Sequence, residues 1–283
     1  MRGWLIGALL CLSLPLPAAQ RIVSLAPFLT DMIVQLEADS RLVGVLDDPS
    51  LADSLRSVPS VGAHQSLSLE RIVSLRPDLI LAWPSGNSAE LLARLESFGI
   101  PVQRFDPQTL DQIEQMTLEL GELLDRQAQA AALSQTYRTE LTRLKAWQAE
   151  VMSAADLPRV FVQLWDEPIF TPAGEQLLTD ALRHCGARNV FESLPGLAPQ
   201  VSVEAVLAVK PDVIITLADD KRLAADWLRR WQAYPDIPAV RDAQLWTFES
   251  DALVRPTPSI IDGMRRLCTL IQSRPLLRNP ASS

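Results

Sequence analysis

The chain has 283 residues, of which 48% are hydrophobic and 21% are charged, so its composition allows a packed core and excludes an intrinsically disordered protein. Its formal net charge is −8, and acidic and basic residues are interleaved along the chain. Such a chain does not match nucleic acid or anionic lipid as a partner, because both require a basic surface.

The first residues have the layout of a secretory signal peptide. Arg2 gives a positive start, an apolar run follows over residues 4–15, and a Pro-Ala-Ala sequence ending at Ala19 offers a cleavage site. The run is too short to span a bilayer comfortably, which disfavours the alternative of a membrane anchor. We therefore predict a signal peptide over residues 1–19, cleavage near Ala19 and export of the mature chain.

After this segment, short β-branched runs alternate with longer helical patterns. One group of predicted strands lies at 22–25, 42–45, 79–83 and 102–105, and a second group lies at 160–165, 213–217 and 245–248. Helical patterns fill the gaps, for example at 88–98, 110–124 and 223–231. Alternating strands and helices indicate parallel sheets covered by helices, and the two groups predict an α/β fold with two Rossmann-like lobes.

One long amphipathic pattern separates the two groups. Residues 126–151 contain no Gly or Pro, and their apolar residues recur at intervals of three and four. This spacing predicts a single helix of about 26 residues, roughly 39 Å long, that joins the lobes as a rigid strut. The predicted boundaries are a first lobe over 20–125, a linking helix over 126–153, a second lobe over 154–275 and a disordered tail over 276–283.

A fourteen-residue phrase occurs twice, 134 residues apart. The segment SLERIVSLRPDLIL at 68–81 reappears as SVEAVLAVKPDVII at 202–215, with five identical positions. In each copy a serine can cap a short helix, and a proline stops the helix before the next strand. Two copies so far apart do not form a solenoid, so the repeat indicates two related lobes.

The mature chain keeps two cysteines, Cys185 and Cys268, because Cys11 leaves with the predicted signal peptide. In an exported chain, a pair of cysteines favours a disulfide over two free thiols. No C-x-x-C spacing is present, so we expect the bridge to be structural rather than redox-active.

The chain resembles the periplasmic binding proteins with a helical backbone, the class III fold, whose members serve importers of cobalamin, haem and ferric siderophores. The residues that carry the resemblance are RIVSLAP at 21–27, the two copies of the repeat, FGIPV at 98–102 and IPAVRDAQLWTF at 237–248. Within this family, the cobalamin-binding members are the most similar. The supporting details are Trp83 followed by Gly86 and Asn87, PQVS at 199–202, Asp251 with Arg255 and Pro258 before Cys268, and the positions of the two cysteines.

The resemblance implies a function. It implies that a monomer in the periplasm captures cobalamin in the cleft between the lobes and delivers it to an ABC permease dimer in the inner membrane. Cobalamin is then the transported ligand, and the resemblance implies no cofactor, no resident metal site and no enzymatic activity.

Ligands of open α/β sheets bind at the carboxyl ends of the strands, where Trp83, Trp165 and the segment from Asp251 to Arg255 are expected. The tryptophans can pack flat on a macrocycle, or they can be core residues. By resemblance, Asp251 and Arg255 contact the corrin side chains, and Ala252, Leu253 and Val254 complete the loop. The alternative for Asp251 and Arg255 is a mutual surface salt bridge at four-residue spacing.

The chain departs from the resembled pattern at Asp48 and His64, where those members carry aromatic contacts to the ligand. The His64 imidazole can stack on a ligand or approach cobalt as an axial ligand, and the alternative is an exposed loop histidine. Both residues remain candidate ligand contacts.

Each copy of the repeat carries one glutamate, Glu70 and Glu204. The resemblance implies that these glutamates pair with arginines on the two permease subunits. The alternative is that each carboxylate stabilises the N-terminus of its helix, and both roles are compatible.

Four other functions compete with cobalamin capture. A zinc or manganese receptor needs several histidine and carboxylate ligands, and the chain has only His64 and His184. The sequence gives little support for an enzyme, because it contains no nucleophile elbow and no phosphate-binding glycine-rich loop. A ferric siderophore or haem receptor stays the main alternative, and a ligand-sensing lobe without a transporter has the same fold.

Overall fold

The computed structural model describes residues 19–64, 66–151, 157–218, 220–249 and 251–273. The predicted signal peptide up to residue 18 and the predicted tail over 276–283 lie outside the described residues, as does the proposed end of the linking helix at 152–153. The side chains of residues 147–151, 221 and 252 are also outside the description.

Two four-stranded parallel sheets form the framework of the chain. The first sheet has the order β2-β1-β5-β6 and the second has the order β10-β9-β7-β8. Their strands are β1 (Ile22–Ser24), β2 (Leu42–Val45), β5 (Leu79–Ala82), β6 (Val102–Arg104), β7 (Arg159–Gln163), β8 (Arg188–Asn189), β9 (Val213–Leu217) and β10 (Leu245–Phe248). A two-stranded antiparallel ribbon of β3 (Gly62–Ala63) and β4 (Ser66–Leu67) accompanies the first sheet.

Helices connect the strands of each sheet. In the first lobe these are α1 (Pro27–Gln35), α2 (Leu69–Ser74), α3 (Ala89–Ser97) and α4 (Leu110–Leu123). In the second lobe they are α6 (Leu177–His184), α7 (Val203–Val209), α8 (Lys221–Trp231), α9 (Pro238–Arg241), α10 (Asp251–Val254) and α11 (Ile260–Ser273). The strands run in the order second, first, third, fourth within both sheets when each lobe is counted separately, so the lobes share one topology. The predicted two-lobed α/β class is confirmed.

The central strands β1, β5, β7 and β9 are buried on both faces, which explains why they are nearly continuous apolar runs. In the first lobe, Val23 and Ile80 point into one buried cluster, whereas Ile22 and Leu81 point into another on the opposite face. The second lobe repeats the pattern: Val160 and Val162 belong to one cluster, and Phe161 between them belongs to the other. Alternation with a period of two therefore places core residues on both sides of the strands.

The linking helix α5 (Gln127–Val151) is continuous over 25 residues, as the sequence predicts. Its Tyr137 donates a hydrogen bond of 2.9 Å to the carbonyl of Leu110 on α4, and the side chains of Tyr137 and Leu141 enter the core cluster of the second lobe. On the second lobe, Arg265 of α11 donates a hydrogen bond of 2.6 Å to Glu140 of α5. The strut is thus packed against helices of both lobes.

The expected disulfide is present between Cys185, at the end of α6, and Cys268 in α11. Both residues are buried in the core of the second lobe, and they lie 83 positions apart in the sequence. Bridging a loop of this length restricts the unfolded chain and is worth roughly 4–5 kcal/mol in the chain-entropy model. Among the helices that the structure describes, none is long and apolar enough to cross a membrane.

Candidate functional site

The candidate ligand residues follow the carboxyl ends of strands in both sheets. Trp83 follows β5 directly, Asp48 comes three residues after β2, Trp165 comes two after β7, and Asp251 comes three after β10. The strand predicted at 160–165 ends earlier, at Gln163, because the backbone of the next residues bridges to Phe170 instead of to a neighbouring parallel strand. These edges are where open parallel sheets bind ligands.

Trp83 is half-buried and held by several contacts. Its indole N–H donates a hydrogen bond of 2.9 Å to Asp106, and its ring meets the Phe28 ring edge-on at a centroid distance of 6.0 Å. Its backbone N–H donates to the side-chain oxygen of Asn87 at 2.7 Å, and the buried Asn87 amide donates to the carbonyl of Leu25 at the end of β1. The ring is therefore oriented before any ligand arrives.

His64 lies against the Trp83 ring, with the two ring centroids 5.6 Å apart. The side chain of His64 is exposed. The close approach requires Gly86, because a Cβ atom added at this position would lie only 2.1 Å from the Trp83 ring and 2.6 Å from the His64 ring. The rings of His64 and Trp83 thus form one aromatic surface, and stacking of a ligand on it stays a prediction. Direct contact with a metal stays a prediction.

Trp165 is 55% exposed, which is unusual for so large an apolar side chain. Its ring packs edge-on against the buried ring of Trp227 at 6.1 Å. The adjoining residues Asp166 and Glu167 are both paired with Arg230 of α8. The core alternative does not hold for Trp165, because the strand end presents much of the ring to solvent.

Arg255 joins the carboxyl edges of the two lobes. It follows α10 of the second lobe, and its guanidinium donates to Asp31 of α1 at 2.8 Å and to Asp48 at 2.9 Å, both in the first lobe. It also pairs with Asp251 at 3.0 Å and contacts Ser50. The predicted surface salt bridge with Asp251 is therefore formed, and it is one part of a larger cluster that crosses the cleft. We call Asp31, Asp48, Ser50, Asp251 and Arg255 the interlobe cluster.

Burial and hydrogen bonding act against each other in this cluster. Burial raises the pKa of Asp31 and outweighs the lowering effect of Arg255. Burial also acts to raise the pKa of Asp48, but hydrogen bonds from Ser50 and Arg255 outweigh it, so this pKa is below the ordinary value. For Arg255, burial alone lowers the pKa, whereas the hydrogen bonds to Asp31 and Asp251 raise it well above the usual range. The guanidinium stays charged.

A cavity of about 410 Å³ opens beside the interlobe cluster. Both lobes line it, with Asp31, Ala52 and Leu55 from the first lobe and Asp251, Thr257 and Ile260 from the second. A concave space with apolar walls and a few convergent polar groups is the usual form of a small-molecule site. This cavity adjoins the interlobe cluster, and none of His64, Trp83 and Trp165 lines it.

The segment 251–255 differs from the expectation at one residue. Leu253 is fully buried in the core of the second lobe, which does not agree with the expectation that its side chain contacts a ligand. The reason is local: residues 251–254 form the helical turn α10 rather than an extended loop, and the turn directs Leu253 inward. Val254 is 41% exposed, whereas the side chain of Ala252 is outside the description.

Glu70 and Glu204 occupy equivalent, exposed places in the first turns of α2 and α7. Ser68 and Ser202 cap the two helices, each accepting a hydrogen bond of 3.2 Å from the backbone N–H three residues later. Hydrogen bonds from its own backbone N–H and from Ser202 lower the pKa of Glu204. Its carboxylate is therefore ionised near neutral pH, as both predicted roles require.

Sequence reasoning did not find Asp31, Ser50 or Asp106, and it used Asn87 only as a detail of the resemblance. Asp31 is the one charged residue of α1, which is the local signal that could have pointed to it. Ser50 and Asp106 are polar loop residues with no distinctive spacing. Within the described residues, no group of three or more His, Cys, Asp or Glu side chains is arranged to hold a metal ion.

The two lobes, the strut and the cleft together define a two-lobed binding protein. Residues 22–252 match the family model described as periplasmic binding protein, and the chain belongs to this family. Membership places it among binding proteins of the periplasm.

Within this family, the chain is similar to proteins that are named for the ligands they bind. The chain is 30% identical over 276 residues to the vitamin B12-binding protein of Vibrio parahaemolyticus, an alignment that covers 93% of this chain and 97% of the relative. The crystal structure of the periplasmic vitamin B12 binding protein of Vibrio cholerae is similar at a TM-score of 0.81 and 31% identity, covering 89% of this chain and 96% of that one. A periplasmic heme binding protein from Pseudomonas aeruginosa is similar at a TM-score of 0.78 and 25% identity, covering 93% and 96%.

Proposed function

We propose that the chain captures cobalamin in the cleft between its lobes and delivers it to an ABC import permease. The observation that carries this proposal is the identity of about 30% with vitamin B12-binding proteins over nearly the whole length of both chains. The exposed aromatic surfaces at the carboxyl edges of the two sheets give the proposal a physical basis.

A corrin ring is large, flat and mostly apolar on its faces, so it binds best between aromatic surfaces. Trp83 with His64 in the first lobe and Trp165 in the second lobe offer such surfaces. The Trp83 ring is oriented by Asp106 and Asn87, so little rotational freedom is lost when a ligand packs on it. We propose that these three aromatic side chains contact the ring.

The interlobe cluster supplies polar groups for the rim of the ring. Corrin side chains end mainly in neutral amides, which can donate to the carboxylates of Asp48 and Asp251 and accept from Arg255. One guanidinium already serves three carboxylates here, so the cluster carries a formal negative charge. This charge disfavours ligands with several carboxylates of their own, because like charges brought together in a partly buried site repel strongly.

Haem or ferric siderophore binding is the second candidate. It is supported by the 25% identity to a periplasmic heme binding protein from Pseudomonas aeruginosa. The negative charge of the interlobe cluster disfavours haem, because the cluster repels the two negatively charged haem propionates. A sensing role without a transporter is the remaining alternative, and we propose binding rather than catalysis in each case.

We further propose that Glu70 and Glu204 dock a monomer onto a twofold permease dimer in the inner membrane. The two exposed glutamates sit on related helices in lobes of identical topology, so one protein presents two similar acidic points to two similar subunits. Exposed carboxylates of this kind pair readily with arginines of a partner. The proposed route to this place is export followed by cleavage near Ala19, which leaves lobes over 20–125 and 154–275 joined by the strut.

The ligand class is tested by titrating the mature protein with cyanocobalamin, haemin and a ferric siderophore while following tryptophan fluorescence. We expect saturable quenching by cyanocobalamin at micromolar concentrations and weaker or no response to the other two. A saturable response to haemin or the siderophore alone moves the chain to the second candidate function.

Docking is tested by replacing Glu70 and Glu204 with Gln, together and singly. We expect uptake of cyanocobalamin through the cognate permease to fall while the affinity for cyanocobalamin in solution stays the same. Glu122, on α4 outside the two repeat helices, gives a control in Glu122→Gln, for which uptake stays unchanged. Normal uptake by the double variant contradicts the docking role.

A further inference from the structure

Two arginines occupy equivalent places at the start of the central strands. Arg21 directly precedes β1, and Arg159 is the first residue of β7. Both lie outside the repeated phrase, and their separation differs from the 134-residue period of the repeat. In the folded chain, each arginine nevertheless reaches the end of the short helix that carries Glu70 or Glu204. We call α2 and α7 the docking helices.

In the first lobe, the Arg21 guanidinium donates to two backbone carbonyls at the end of α2. The distances are 2.5 Å to the oxygen of Leu75 and 3.0 Å to the oxygen of Arg76. Its backbone N–H donates to the carboxylate of Asp78 at 2.9 Å, and the N–H of Asp78 returns a bond of 2.9 Å to the carbonyl of Arg21. One arginine thus joins the helix end, the turn after it and the start of two neighbouring strands.

The second lobe has the same arrangement. The Arg159 guanidinium donates to the oxygen of Val209 at 3.2 Å and to the oxygen of Lys210 at 2.7 Å. Its backbone N–H donates to Asp212 at 2.8 Å, and the N–H of Asp212 returns a bond of 2.8 Å to the carbonyl of Arg159. Val209, Lys210 and Asp212 are the repeat equivalents of Leu75, Arg76 and Asp78, so the two sets of partners correspond one to one.

The carbonyl oxygens that these arginines bind have no helical partner of their own, because the last carbonyls of any helix lack an intrahelical donor. A cation at this end also matches the negative pole of the helix. Just beyond each helix one residue has a positive φ, 47° at Arg76, the second residue after α2, and 44° at Lys210, the first after α7, although neither is glycine. A side chain in this region is unfavourable on its own, so surrounding bonds must hold it.

The docking helices depend on such bonds more than long helices do. They contain six and seven residues, too few to be stable in isolation. Each has a single fully buried anchor, Ile72 in one and the equivalent Val206 in the other. The serine caps fix the beginning of each helix, and the arginines fix its end. Together with the buried anchor, these contacts set the direction of the helix and hence the place of its glutamate.

We propose that Arg21 and Arg159 are positioning residues that hold the two docking helices in matched orientations, so that Glu70 and Glu204 meet a twofold partner at the same time. The proposal rests on the proposed docking function. Each arginine holds the C-terminal end of its docking helix, whereas the glutamate lies in the first turn at the N-terminal end. Simultaneous engagement matters because the second contact is intramolecular once the first has formed, provided that the spacing is right.

The test uses Arg21→Gln, Arg159→Gln and the double variant of the full mature protein. Two properties are measured on each: hydrogen–deuterium exchange of the α2 and α7 amides, and the concentration of cyanocobalamin-loaded protein that half-saturates transport by the cognate permease in proteoliposomes. We expect faster exchange in the docking helix of the mutated lobe only. The half-saturating concentration should rise roughly fivefold in each single variant and further in the double, because both contacts contribute to one bivalent engagement.

Three comparisons separate positioning from a loss of charge or of fold. Arg56→Gln and Arg229→Gln remove exposed arginines that pair only locally, with Asp53 and Asp226, and should change neither property. Arg21→Lys and Arg159→Lys keep the charge but lose the two-pronged donor, and should lie between wild type and the Gln variants. The affinity for cyanocobalamin should be the same throughout.

Two results overturn the proposal. One is unchanged exchange in both docking helices, because the arginines then hold nothing in place. The other is faster exchange with unchanged transport while Glu70→Gln and Glu204→Gln do impair it, because docking then tolerates mobile helices. If the two glutamate variants transport normally, the docking function itself fails, and the positioning role fails with it.

Discussion

Arg255 of the second lobe donates a hydrogen bond of 2.8 Å to Asp31 of the first lobe, although the two residues are 224 positions apart. The same guanidinium reaches Asp48, also in the first lobe, at 2.9 Å. The side chain of Arg255 is only 17% exposed, so these bonds are partly shielded from water. The cleft between the lobes is therefore bridged by a charged contact at its rim.

Removing Arg255 should weaken the folded protein more than removing an ordinary surface arginine. In Arg255→Ala, three carboxylates lose their counter-ion, and that of Asp48 is only 9% exposed. We expect the free energy of unfolding in urea to fall by about 2 kcal/mol, below the value for a fully buried pair because Asp31 and Asp251 stay partly hydrated. In the exposed pair with Asp53, Arg56→Ala should cost less than about 0.5 kcal/mol. Equal losses in both variants contradict the account.

Asp31 and Asp48 bind the same arginine but should respond to pH with opposite signs. The folded-state pKa of Asp48 is below the ordinary 3.8, so its contribution to stability is present above pH 3.8 and is lost as the pH falls through the folded value. The folded-state pKa of Asp31 is above 3.8, so ionised Asp31 lowers stability once the pH rises through that value.

At pH 7, Asp48→Asn should therefore be less stable than wild type, whereas Asp31→Asn should be equally or more stable. The difference for Asp31→Asn should shrink as the pH falls from the raised folded-state pKa of Asp31 towards 3.8, whereas the difference for Asp48→Asn should shrink only as the pH falls below 3.8. Urea unfolding at a series of pH values measures this. Asp53→Asn, whose carboxylate is 91% exposed, is the control and should follow wild type at each pH. If Asp31→Asn loses as much stability at pH 7 as Asp48→Asn does, the two carboxylates do not affect stability with opposite signs.

Trp165 should contribute to ligand affinity without contributing much to stability. Its ring is 55% exposed, so Trp165→Ala should fold normally and lose about 2 kcal/mol of binding free energy, or roughly thirtyfold in affinity for cyanocobalamin. Isothermal titration calorimetry measures the change. Phe98, 57% exposed at the end of α3, precedes the amino end of β6 and supplies the matched control in Phe98→Ala, which should bind as wild type does. If both variants bind equally well, Trp165 is not part of the site.

The disulfide should stabilise the second lobe without taking part in binding. The double variant Cys185→Ser with Cys268→Ser should lose about 2–5 kcal/mol of unfolding free energy. At temperatures where it stays folded, its affinity for cyanocobalamin should match that of wild type, since both cysteines are buried in the core of the second lobe. A reducing agent should destabilise the wild-type protein and leave the variant unchanged; the reverse pattern contradicts a structural role.

Much of the fold is readable from the sequence because its signals are local. Apolar runs of the right length mark the strands, and the unbroken three-and-four spacing marks α5. The repeat indicates two related lobes, and the structure gives both sheets the same strand order. These features depend on periodicity within single elements, which tertiary context did not override here.

The details of the site depend on contacts that no local pattern records. Asp31 is the one charged residue of α1, and its bond to Arg255 follows only from the way the two lobes meet. The sequence does not predict the buried position of Leu253, because a four-residue helix cannot be recognised from so short a segment. That helix, α10, decides which side chains of the segment face inward. The hydrogen bonds from Arg21 and Arg159 to the ends of α2 and α7 are missed for the same reason, because their carbonyl partners lie 50 or more positions away in the sequence.

Calorimetric titration of the mature protein with cyanocobalamin tests directly whether the chain binds a cobalamin between its lobes. We expect saturable binding at micromolar concentrations with one cobalamin per chain. The affinity should fall sharply when Trp83 and Trp165, one from each lobe, are both replaced by alanine. The absence of binding at these concentrations contradicts the proposed ligand, and binding that the double variant retains in full contradicts its place between the lobes.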